Sequence, residues 1–150
     1  YVYVRSSSAW AQQAYLKAAN AEASDGFGGA VSISGDTIVV GASGEDSNAV
    51  SITNGATASA DNSASAGGGA GAAYVFVRSG TTWTQQAYLK AANAESGDLV
   101  GASLYTDGSR VVVGGSTEDS SAKSIGNGIT ASSDNSATHA GAVYVFSAGA

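Results

Sequence analysis

The stretch WAQQAYLKAANAEASD at residues 10–25 returns as WTQQAYLKAANAESGD at residues 83–98, identical at thirteen of sixteen positions and displaced by 73. The duplication extends to both sides. YVYVR at 1–5 matches YVFVR at 74–78, GDTIVVGASGEDS at 35–47 matches GSRVVVGGSTEDS at 108–120, and SITNGATASADNSA at 51–64 matches SIGNGITASSDNSA at 124–137. The second copy then lacks three residues equivalent to Gly67, Gly68 and Gly69, so the third Tyr-Val segment starts at Tyr144. Repeat one spans 1–73, repeat two spans 74–143, and 144–150 opens a third copy, all within a single module of 150 residues. A fixed period of this length means that each copy is a supersecondary unit that buries its apolar face against its neighbours.

Alternation and β-branched content decide what the unit is made of. In GGAVSISGDTIVVGA two apolar runs flank Gly35-Asp36, the composition of a tight hairpin. In AAYVFVRSGTTWTQQAYLKA a second hairpin turns near Ser79-Gly80, and its second arm places Trp83, Gln85, Ala87 and Leu89 on one face against Thr84, Gln86, Tyr88 and Lys90 on the other. Helix propensity favours a different answer for the same segment, an α+β repeat with helices at 10–23 and 83–95. Strand is preferred, because propensity is a weak prior that tertiary context overrides. Each period of about 70 residues then supplies four short antiparallel strands, which is how a β-propeller blade reads.

The expected fold class is therefore all-β, with propeller-like four-stranded blades whose boundaries are out of phase with the chain. Residues 1–20 supply the two outer strands of one blade, 27–93 a whole blade and 100–147 the inner three strands of another, nine strands in total. Each end is left with unpaired backbone groups, so the chain is expected to associate with copies of itself as a homo-oligomer or filament.

The residue order resembles the FG-GAP repeat found in integrin α-subunit propellers and in secreted bacterial proteins. Phe27-Gly28 gives the first signature, Gly41-Ala42-Ser43 the second with Ser in place of Pro, and Gly71-Ala72 leads into the closing strand Tyr74-Val75-Phe76. The second copy departs further, with Val100-Gly101 and Gly114-Gly115-Ser116. The resemblance implies a non-catalytic structural or adhesive module in an extracellular or cell-surface setting. It also raises calcium, because such repeats often carry a D-x-D-x-D-G loop between the first two strands. Here that position holds only Ser34-Gly35-Asp36 and Asp107-Gly108-Ser109, too short to wrap an ion.

Composition narrows the chemistry. The chain has no Cys, which removes disulfides and thiolate sites, and no run of the roughly 18 apolar residues a membrane span needs. A net charge of −6 with six scattered basic residues disfavours nucleic acid. The long loops at 44–66 and 117–139 gather Glu45, Asp46, Asn48, Asn54, Asp61 and Asn62, then Glu118, Asp119, Asn127, Asp134 and Asn135. The carboxylates Glu45, Asp46, Asp61, Glu118, Asp119 and Asp134 are the candidate ligands should a cation such as calcium bind; otherwise these loops are built on side-chain-capped turns. Trp10, Tyr15, Trp83 and Tyr88 are the candidate sugar-stacking residues of an alternative, lectin-like module with a glycan partner, against a reading as packing between blades. His139 is the only histidine, and its counterpart is Ala66. GGGAGA at 67–72 precedes a strand instead of opening a helix, so it reads as a connector and not a dinucleotide site. No catalytic constellation emerges.

Overall fold

The computed structural model describes residues 1–61, 63 and 68–147. Ten strands form in chain order: β1 (Val2–Ser6), β2 (Ala9–Ala14), β3 (Ala30–Ser34), β4 (Thr37–Ala42), β5 (Thr53–Asn54), β6 (Ala72–Ser79), β7 (Thr82–Leu89), β8 (Ser103–Thr106), β9 (Arg110–Gly115) and β10 (Ala142–Ser147). No helix occurs among the described residues, so the helices entertained at 10–23 and 83–95 are replaced by β2 and β7 and the loops that follow them. Among the described residues no helix is long and apolar enough to cross a membrane. Asn62, Ala66, Gly67 and the end of the third copy at 148–150 lie outside the described residues.

The strands form three antiparallel sheets: β1-β2, then β3-β4-β6-β7-β5, then β8-β9-β10. The middle sheet is one complete blade. Its hairpins turn where the sequence places small residues, at Gly35-Asp36 and at Gly80-Thr81, one residue later than expected for the second. Gly35 and Gly80 have φ of 56° and 62°, values that cost glycine nothing. The tenth strand is β5, a two-residue piece of the long loop that pairs Thr53 and Asn54 with Tyr88 and Ala87 on the outer edge.

A bulge corrects the expected faces of β7. Val75 pairs with Ala87 but Phe76 pairs with Gln85, which leaves Gln86 as the extra residue. Beyond it the side chains change sides. Trp83 therefore shares its face with Tyr74, Phe76 and Tyr88, whereas Ala87 and Leu89 lie on the opposite face with Val39, Ala73 and Val75. The first copy bulges at the equivalent place: Val2 pairs with Ala14 and Tyr3 with Gln12, leaving Gln13 over.

Both faces of the middle sheet are covered. Its front, with Ile38, Val40, Tyr74, Phe76 and Tyr88, packs on Val2, Ala14, Leu16 and Ala18 from the first hairpin and its tail. Its back, with Val39, Val75, Ala87 and Leu89, packs on Leu104, Val111, Val113, Tyr144 and Phe146 of the third sheet. The three sheets thus stack face to face. Glycine lets the second and third approach closely: a Cβ on Gly41 would strike the Gly101 carbonyl, and one on Gly71 would strike the backbone of Val100.

Candidate functional site

The polar seam between successive blades recurs in both copies. After β2 the chain carries Asn20, whose Nδ2 donates to Glu45 Oε1 at 3.0 Å and to the Ser59 carbonyl at 2.7 Å, while the Tyr74 hydroxyl donates to Asn20 Oδ1 at 2.7 Å. After β7, Asn93 repeats the pattern. Its Nδ2 donates to Glu118 Oε1 at 2.8 Å and to the Ser132 carbonyl at 2.7 Å, and Tyr144 donates to Asn93 Oδ1 at 2.9 Å. Each asparagine thereby ties the tail of one blade to the loop and third strand of the next. Burial, with Glu45 adding its charge, raises the Tyr74 hydroxyl above the usual phenol range, and burial followed by Glu118 does the same for Tyr144.

One member of the seam has no second copy. Lys90 is buried, and its ammonium donates to Glu45 Oε2 at 3.0 Å and to the Ser47 carbonyl at 2.6 Å. Burial lowers its pKa although Glu45 opposes the shift. Its repeat equivalent Lys17 is exposed and makes no ion pair among the described residues. Glu118, the equivalent of Glu45, is only 4% exposed and likewise has no cationic partner among the described residues. Its Oε2 accepts the Ser120 backbone N–H at 3.1 Å.

The candidate cation ligands disperse into turn chemistry. Asp61 accepts from the backbone of Asn48 and Ser63, Asp134 from Ser121 and Ser136, and Asp119 from the His139 N–H at 2.6 Å. These donors hold the carboxyls of Asp61 and Asp134 below their ordinary pKa, the Ser63 hydroxyl contributing most for Asp61 and that of Ser121 for Asp134. Asp46 stands beside Glu45 in the loop that follows β4. Among the described residues no three acidic or histidine side chains converge as a metal site would need.

The aromatic candidates divide between the copies. Trp83 donates to Gln13 Oε1 at 2.8 Å and lies under the Arg78 guanidinium, 5.5 Å from its ring centroid, and Tyr88 is fully buried against Tyr74. Burial and the Glu45 charge raise the Tyr88 hydroxyl. Trp10 and Tyr15, their equivalents in the first copy, are 68% and 59% exposed. Asn20, Gln13, Lys90 and their counterparts were not singled out by sequence reasoning. The usable signal was their identity across the two copies of the opening segment.

Two apolar faces and an edge remain open. Val31 and Ile33 pair with Val40 and Ile38 and so lie on the front of the middle sheet, yet they are 67% and 61% exposed. On the back of the third sheet Tyr105, Val143 and Val145 are 62%, 68% and 64% exposed. β10 pairs with β9 alone among the described residues. Beside it lies a groove of about 540 Å³, lined by Gln86, Leu89, Val111 and Phe146 among others, where a fourth strand would complete the third sheet.

Stacked antiparallel blades of this kind define an all-β, propeller-like repeat protein. Residues 10–57 match the family model described as FG-GAP repeat. The resemblance carried by Phe27-Gly28 and Gly41-Ala42-Ser43 therefore holds over residues 10–57 of the first copy. No curated protein and no solved structure matches the chain.

Proposed function

We propose that this chain is a non-catalytic structural or adhesive module of the cell exterior that associates head to tail with copies of itself through its open blade faces. The FG-GAP repeat at 10–57 supports the setting. The observation that carries the association is the placement of the exposed apolar residues. Val31 and Ile33 stand on the front of the middle sheet, where the first blade contributes only an outer hairpin. Tyr105, Val143 and Val145 occupy the same back face by which the middle sheet covers the third. Back against front is the contact the molecule already makes twice inside itself, between the first hairpin and the middle sheet and between the middle sheet and the third, and a second copy can repeat it across the chain boundary. Contiguous exposed apolar faces of this sort mark interaction surfaces.

Sedimentation velocity of the full chain across a range of micromolar concentrations tests the reading. Mass that rises with concentration supports it; a folded monomer throughout defeats it. Exposed Trp10 and Tyr15 favour a second reading, a glycan-binding module. A glycan array read with and without a calcium chelator tests that alternative, and selective binding lost on Trp10→Ala would establish it.

A further inference from the structure

We propose that Lys17 of a second copy completes the third sheet's polar seam, its ammonium seating on Glu118 Oε2 and the Ser120 carbonyl while residues 9–17 of that copy lie along the open edge in the 540 Å³ groove. The inference rests on the head-to-tail reading and names the contact that locks it. The middle blade supplies the template. There, β7 leads directly into Lys90, which bridges Glu45 Oε2 and the Ser47 carbonyl from the same blade. Glu118 and Ser120 stand where Glu45 and Ser47 stand, displaced by 73, and the Asn93, Ser132 and Tyr144 bonds show that this half of the seam is already assembled. Among the described residues no strand pairs with the free edge of β10 and no lysine reaches Glu118. The only other segment of this chain with the sequence of β7 and Lys90 is β2 and its tail, ending on exposed Lys17.

Charge complementarity argues in the same direction. Glu118 is buried without a countercharge among the described residues, which is costly to maintain. Asp98 nearby has its pKa raised, by burial first and then by Glu118, Glu95 and Asp119. Lys17 is the matching surplus cation at the other end of the molecule. Two more contacts fall into place with it. Gln86 lines the groove at the bulge and would receive Trp10, as Gln13 receives Trp83 in the existing contact. Gly126-Asn127, the counterpart of β5, pairs with no strand among the described residues and would find the partner that Thr53–Asn54 finds in β7. The place beside β9 holds one Tyr-Val strand, so either β10 of the receiving copy or β1 of the entering copy leaves it. Lys17 arrives at Glu118 in both arrangements, because β2 sets its position.

Sedimentation velocity of the full-length wild type, Lys17→Met, Lys17→Glu, Glu118→Gln and the Lys17→Met/Glu118→Gln double variant tests the contact, with circular dichroism as the check on folding. Lys17 is exposed in the single chain, so both of its variants should fold as the wild type does. Their self-association is expected to weaken about tenfold or more. The double variant should associate no more weakly than the weaker single variant, because both substitutions remove one interaction. Wild-type self-association that persists unchanged in Lys17→Met and Lys17→Glu overturns the Lys17 contact and leaves the head-to-tail reading standing. A wild type that stays monomeric overturns the head-to-tail reading itself, and the contact with it. If Glu118→Gln fails to fold, the two Lys17 variants still separate these outcomes.

Discussion

At the scale of single residues, two carboxylates show opposite uses of burial. Glu45 is buried but matched by Lys90, with Asn20 and the Ser47 backbone N–H taking its remaining lone pairs. Lys90→Met removes the cation and leaves the charge stranded. Urea unfolding should show a loss of about 3–5 kcal/mol, much of it recovered in Lys90→Met/Glu45→Gln. Asp107, in the turn between β8 and β9, is solvated, and the N–H groups of Arg110 and then Ser109 hold its pKa at about 2 against an ordinary 3.8. A carboxyl lowered on folding stabilises the protein above its unfolded pKa, and that stabilisation is lost as pH falls through the folded value. Asp107→Asn should therefore lower the melting temperature at neutral pH, and the difference from wild type should vanish as pH is taken from about 4 to about 2. The Glu45–Lys90 partnership was not legible in the sequence: the two are 45 residues apart, and nothing in their local spacing announces that β7 returns beside the loop after β4.

At the scale of elements, the alternation of Val, Ile and Tyr and the turn residues made the strands legible, and the repeat made them legible twice. Period-two reasoning failed at Gln86 for a definable reason. A bulge inserts one residue and exchanges the faces beyond it, and Gln-Gln carries no glycine or proline to mark the place. β5 escaped because two residues of loop acquire strand character only through their partner, β7. Glycines separate local strain from packing. Gly55 has φ of 96° with open space around it, so Gly55→Ala should cost only the left-handed strain of about 1–2 kcal/mol. Gly71 has φ of 81° and its added Cβ would overlap the Val100 backbone at the junction of the second and third sheets. Gly71→Ala should cost the same strain plus an overpacking term of about 1–3 kcal/mol. Chemical denaturation of the two variants side by side measures the difference, and equal losses would mean that the sheets separate readily enough to absorb the methyl group.

At the scale of the whole molecule, the exposed apolar faces of the middle and third sheets and the open edge of β10 decide what the proposed head-to-tail contact can build. Every junction repeats the same back-to-front contact, so a head-to-tail assembly closes into a ring only if the rotation per copy divides a full turn, and otherwise it grows. The surplus Tyr-Val strand works against closure. In the proposed assembly β1 and β10 would contend for one place at each junction, so every contact would carry a displaced strand of five or six residues that a ring must accommodate all the way round. An open stack accommodates it at each junction independently and leaves its two ends unconstrained. The expected product is thus a filament: light scattering should show a mean mass that climbs with concentration without a plateau, and electron microscopy should show lengths that vary within one sample. Particles of one uniform mass would mean that the rotation closes despite the displaced strand. Substoichiometric Lys17→Glu chains, which keep Glu118 but lack its partner, should shorten the filaments by capping one end, and length unaffected by their addition would place the growing contact elsewhere.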